Sequence, residues 1–167
     1  VKKFEEDIAA LCSVKYAVGV NSGTDAMWLS LLASGIRPGD EVITVAHTFV
    51  ATVAIIVHCG AKPVLIDISE DFNMNVDLLE QAITPKTRAI IPVHLNGRLC
   101  DMEKLMGIAR KHNLIVIEDA AQALGSAQNG KKAGSFGLAG CFSFYPAKAL
   151  GGIGDGGIAV TDSKDAA

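Results

Sequence analysis

A surplus of positive charge is missing from this 167-residue chain, which carries 15 Lys and Arg against 18 Asp and Glu for a net charge of −3. With no basic patch either, a nucleic-acid-binding surface is not expected. Long apolar runs are missing too. The longest, Phe49 to Val57, is interrupted by Thr52 and is far too short to span a bilayer. No secretory leader is read at the N-terminus, so a cytoplasmic chain without membrane association is expected. Cysteine is scarce: Cys12, Cys59, Cys100 and Cys141 lie in or near apolar segments at scattered spacings, as reduced core thiols do and a disulfide framework does not. His47, His58, His94 and His112 have neither H-x-x-x-H nor C-x-x-C company, and no metal site is expected. The dinucleotide fingerprint is lacking, since Gly19 and Gly23 are spaced G-x-x-x-G. Repeats, low-complexity tracts and linkers are absent.

What is present is a chain that is 50% hydrophobic, enough for one domain with a real core. Helix and strand signals alternate. An opening helix places Phe4, Ile8, Leu11 and Cys12 on one face. Strands are predicted at 16–20, 41–46, 62–68, 88–94, 114–120, 138–144 and 157–161. Helices are predicted near 24–34 (ending at Gly35), 48–59 (ending at Gly60), 76–83, and 102–112 behind Asp101 as N-cap. Such alternation implies an α/β fold with a mainly parallel sheet covered on both faces. The last two strands lack an intervening helix and can pair antiparallel.

Three segments carry chemistry. FSFYPAKALGGIGDGGIAVT (142–161) sets Lys148 in a glycine-rich turn between two β-like runs. There a flat ligand can approach closely, and a deprotonated amine becomes a carbonyl-capturing nucleophile suited to Schiff-base chemistry. A solvated loop lysine is the plain alternative. VGVNSGTDAM (18–27) ends a β-branched run and starts a helix at Thr24 or Asp25. Backbone N–H groups there, with the hydroxyls of Ser22 and Thr24, form either a phosphate cradle or an ordinary cap. LIVIEDAAQALGS (114–126) reads as a strand buried on both faces that ends in Glu118-Asp119. Ligands of open α/β sheets bind beyond such strand ends, so Asp119 is either a turn residue or the counter-ion of a protonated ring nitrogen.

In this order the segments FEEDIAAL, AVGVNSGTDAM, PGDEVITVAHTFVATVAII, GAKPVLIDI, TRAIIPVHLNG, VIEDAAQALGS and FSFYPAKALG..GDGG resemble the DegT/DnrJ/EryC1/StrS family of sugar aminotransferases, which use pyridoxal 5′-phosphate (PLP). The resemblance covers nearly the whole chain. It implies the large domain of a fold-type I PLP enzyme over residues 1–167, with a seven-stranded sheet and helices on both faces. The family's smaller C-terminal domain is not included. Val1 in place of Met, and an end just after the seventh strand, lead to the expectation of a longer parent protein.

By the same resemblance, Lys148 binds PLP covalently, Asp119 pairs with its ring nitrogen and Gln122 lies beside the ring hydroxyl. Phe49 stacks on the ring, although its neighbours Val50, Val53, Ile56 and Val57 also allow a core aromatic. Ser22, Gly23, Thr24 and Ser143 hold the phosphate. Lys148 then serves as general base and acid, while Asp119 tunes the cofactor. The implied reaction moves an amino group from a donor such as glutamate to a keto group of a nucleotide-linked sugar, in a homodimer. The alternatives are a non-catalytic PLP-binding, sugar-nucleotide-binding or assembly role, or a sugar dehydratase. Related dehydratases replace the lysine with histidine, so Lys148 favours transamination. The chain departs from the pattern at Asn96, where Tyr is common, at Cys100, a small-residue position, and at Leu138, where Asp is frequent.

Overall fold

The β-branched and apolar runs form one seven-stranded sheet in the computed structural model, which describes residues 1–167. Its strands are β1 (Tyr16–Val20), β2 (Glu41–Val45), β3 (Lys62–Ile66), β4 (Thr87–Ile90), β5 (Ile115–Asp119), β8 (Ala139–Ser143) and β9 (Gly157–Thr161), with β6 (Ala127–Gln128) and β7 (Lys131–Lys132) set apart as a hairpin. The spatial order is β1-β9-β8-β5-β4-β2-β3. Only β9 runs against the others, paired antiparallel with both β8 and β1. The carboxyl ends of the remaining six strands therefore lie along one edge.

Period-two alternation divides the buried side chains between two cores. Ile43, Val116 and Phe142 face a core shared with Ile8, Cys12, Met102 and Leu105. Their neighbours Val42, Ile117 and Cys141 face a second core with Met27, Leu31, Ile55 and Ile56. Thus α1 (Lys2–Cys12) and α4 (Met102–Lys111) cover one face, while α2 (Gly23–Ala33) and α3 (Val50–His58) cover the other. The edge strand β3 carries Pro63, tolerable because it pairs only with β2. All four cysteines are free and buried, and burial pushes the thiols of Cys12 up to about 11 and Cys141 up to about 12. No helix is long and apolar enough to cross a membrane.

Several sequence expectations need correction. The helix expected at 76–83 is two 3₁₀ turns, Val76–Leu78 and Glu80–Ala82. An eight-residue helix is marginal alone, and Thr84 precedes Pro85, which disfavours helical backbone. The strand expected at 88–94 spans only Thr87–Ile90, with Val93 rejoining the sheet through a bridge to Asp119. In α1 the buried face is Ile8, Ala9 and Cys12, while Leu11 is exposed. Phe4 is exposed as well and sets its ring edge-on to Phe144 at 5.0 Å. The hairpin was not foreseen, although Asn129-Gly130, both at positive φ, is the usual two-residue turn chemistry.

Candidate functional site

The strand ends converge on a cavity of about 630 Å³. Each loop following β1, β2, β4, β5 and β8 contributes to it, so the site follows directly from the parallel topology. Ser22, Gly23, Thr24, Phe49, Asp119, Gln122, Ser143 and Lys148 all line this one space.

The α2 start leaves backbone donors open toward the cavity. Ser22 is the N-cap, its Oγ accepting from Asp25 N–H at 3.1 Å and its carbonyl accepting from Ala26 N–H. The helix begins at Gly23, one residue before the range read from the sequence. The N–H groups of Gly23 and Thr24 are left without a partner in the chain at the positive end of the helix dipole. Close packing sets this end beside β8 and β9. A Cβ on Gly23 would lie 2.8 Å from Ser143 Cβ, and one on Gly157 would lie 2.1 Å from the Ser22 carbonyl carbon. Gly157→Ala is accordingly expected to push α2 away from β9 and to destabilise the fold by about 1–3 kcal/mol, as overpacking does. A thermal melt unchanged from wild type would contradict that packing.

Asp119 ends β5 and is 5% exposed. Its Oδ2 accepts from the Thr52 hydroxyl at 2.7 Å and its Oδ1 from Ala121 N–H at 3.2 Å. Burial pushes its carboxyl above the usual carboxylate range, against the opposing pull of these hydrogen bonds and of the Lys148 charge. No cation forms a salt bridge with it. A buried carboxylate facing a cavity without a cationic partner fits a ligand that brings a positive charge.

Glu118, the preceding residue, points the other way. Fully buried, its carboxylate accepts from the N–H groups of Gly134, Phe136 and Gly137 and from His94 Nε2 at 3.0 Å. Cys100 N–H donates to His94 Nδ1, which assigns the ring proton to Nε2. This network secures the 134–137 loop beneath the site. The departure at Asn96 acts through its backbone, whose N–H donates to Gln122 Oε1 at 2.7 Å at a residue with φ 54°, whereas Cys100 also donates its thiol to the Val93 carbonyl at 3.3 Å.

Lys148 is half-buried in the β8–β9 turn, which is held by Lys148 N–H to Tyr145 C=O and Gly152 N–H to Phe144 C=O, each 2.8 Å. It is the lone lysine lining the cavity. Phe49 caps α3 and is 70% exposed, which excludes the core-aromatic alternative; its ring stands at the cavity wall. Sequence reading missed Thr48, Val93, His94, Tyr145 and Asp155 among the lining residues, and the role of Thr52 behind them. Thr52 left one signal, a polar residue interrupting an apolar helix.

The model of the DegT/DnrJ/EryC1/StrS aminotransferase family matches residues 1–167. The chain belongs to this family. It is 51% identical over 168 residues to the pleiotropic regulatory protein of Geobacillus stearothermophilus, covering 100% of this chain and 45% of that protein. It is 51% identical over 161 residues to the UDP-N-acetyl-3-dehydro-alpha-D-glucosamine 3-aminotransferase of Acidithiobacillus ferrooxidans, covering 96% and 44%. The crystal structure of DesV from S. venezuelae in complex with a ketimine intermediate superposes with a TM-score of 0.96 at 46% identity, over 99% of this chain and 45% of DesV. The chain thus spans less than half the length of these family members. The aminotransferases of the family are PLP-dependent, and solved members are known in PLP and PMP forms. The superposition agrees with the fold-type I large-domain sheet expected from the sequence.

Proposed function

We propose that the cavity binds PLP and that the full-length protein transfers an amino group from a donor such as glutamate to a keto group of a nucleotide-linked sugar. The observation that carries this reading is the buried, cation-free carboxylate of Asp119 sharing one cavity with a lone lysine and an open helix N-terminus. The residues fit the cofactor at each of its chemical groups. The free N–H groups of Gly23 and Thr24, with the hydroxyls of Ser22, Thr24 and Ser143, would hold its phosphate. Phe49 offers an exposed aromatic face for its ring. Gln122, fixed by Asn96 N–H, would lie beside the ring hydroxyl.

Bound PLP supplies an electron sink for negative charge developing on a carbon next to nitrogen. The chain supplies the rest. The carboxylate of Asp119 holds a proton on the ring nitrogen, which keeps the sink effective. Lys148 would be the residue for covalent attachment, and its Nζ would take a proton from the α-carbon of the amino donor and deliver it to the cofactor, as amino transfer requires. Histidine does not occupy this position, which favours transamination over dehydration.

Residues 1–167 are read as the large PLP-binding domain, with a smaller C-terminal domain elsewhere in the full-length protein; the share of its relatives that the chain covers supports this. A cytoplasmic homodimer is proposed with it. Exposed apolar side chains on α2 and α3, namely Leu29, Leu32, Val50 and Val57, offer area for a second copy. A non-catalytic, regulatory role is the second reading, prompted by the name of the Geobacillus relative. A panel of keto-sugar nucleotides, assayed with glutamate and the protein at its full encoded length, separates the two. Amino-sugar formation on at least one substrate supports the enzyme, whereas tight PLP binding without turnover on any supports the regulator.

A further inference from the structure

A hydroxyl buried inside a helix normally donates to the carbonyl four residues back, as Ser30 of α2 does to Ala26 C=O at 2.7 Å. Thr52 of α3 does not. Fully buried on a helix whose buried neighbours are Ala51, Ile55 and Ile56, it turns its Oγ1 to Asp119 Oδ2 at 2.7 Å and to Thr48 Oγ1 at 2.8 Å. A hydroxyl owns one proton, and an ionised carboxylate can only accept. Thr52 therefore donates to Asp119 and accepts from Thr48, whose proton points inward from the cavity wall. The direction of the whole relay is fixed: Thr48 to Thr52 to Asp119.

We propose that Thr52, supported by Thr48, is a positioning residue that keeps Asp119 ionised and oriented to receive a cationic ring nitrogen. This rests on the reading of the cavity as a PLP site. A hydrogen bond to a charged acceptor is among the stronger ones, and this one opposes the upward push of burial on the Asp119 carboxyl. The other groups facing Asp119 are few. Lys148, from the β8–β9 turn, favours the carboxylate by charge, while His94, from the loop after β4, is neutral in the tautomer assigned above; Cys141 on β8 is a buried thiol, and Glu118 on β5 itself faces the opposite side. Without the Thr52 hydroxyl, Asp119 takes up a proton at a higher pH and then offers no charge to the ligand.

The test uses the full-length protein and PLP as probe, with the dissociation constant measured across pH. Thr52→Val keeps the shape and removes the hydroxyl. At neutral pH it is expected to weaken PLP binding about tenfold to a hundredfold, the equivalent of one charge-assisted hydrogen bond. The fall in affinity on acidification should begin about one unit higher in pH than in wild type. Thr52→Ser should restore both, and Thr48→Val should give a smaller shift in the same direction. Equal affinity and equal pH dependence in wild type and Thr52→Val would overturn the proposal while leaving the PLP site standing. So would a loss that Thr52→Ser does not rescue and that follows the cofactor-free melting temperature without any pH shift. If the wild-type protein itself fails to bind PLP, the reading of the site falls first.

Discussion

Asp119→Asn is expected to weaken PLP binding at least as much as Thr52→Val and, in the loaded protein, to slow amino transfer by roughly a hundredfold or more, since removing a close charge partner typically costs a few kcal/mol. Both carboxylate oxygens of Asp119 accept hydrogen bonds, from Thr52 and from Ala121 N–H. An amide that turns its Oδ1 to Ala121 N–H presents its NH₂ to Thr52, whose hydroxyl must then reverse to accept it and donate to Thr48. The variant should therefore lose only about 1 kcal/mol of stability, the difference between a charged and a neutral hydrogen bond. The two effects separate by method. Thermal melting reads the packing cost, while single-turnover reaction with glutamate in the full-length protein reads the chemistry. A rate within threefold of wild type would reduce Asp119 to a strand-end cap.

Lys148→Ala should have the larger functional effect and the smaller structural one. The side chain is half-buried in a turn whose hydrogen bonds run through backbone atoms, so little packing is lost. Covalent attachment of PLP should be abolished outright and binding should become reversible, leaving no lysine in the cavity to replace the missing amine. Dialysis of the loaded variant, followed by absorbance, checks this. A lysine-bound cofactor band that persists in a variant with normal circular dichroism would contradict the assignment.

Much of the sheet was legible because a parallel sheet covered on both faces demands long apolar strands, and β2 and β5 have no other reading. The antiparallel entry of β9 was legible for the opposite reason: no helix stands between β8 and β9 to carry a parallel crossover. The 76–83 segment failed because its apolar spacing suits a helix while Pro85 and its short length do not, and backbone restriction decided the outcome. At the site, the residues read from the sequence were those at strand ends, at the start of α2 and in the adjoining loops, where small, charged or aromatic residues stand out. The supporting residues were not legible. Thr52, His94 and Glu118 act through partners 67, 24 and 16 to 19 residues away in sequence, and only the folded sheet brings these together. Phe49 was ambiguous between core and site because it adjoins an apolar helix, and its exposed place as the N-cap, before the helix turns its buried face inward, removes the core alternative.

The central claim is that Lys148 is the cofactor-bearing amine of a PLP site. Borohydride reduction of the PLP-loaded full-length protein, followed by peptide mass spectrometry, tests it most directly. The account predicts loss of the visible cofactor band together with one reduced phosphopyridoxyl group on the peptide carrying Lys148 and on no other. An unmodified Lys148 peptide, or label spread over surface lysines such as Lys3 and Lys62, would contradict it.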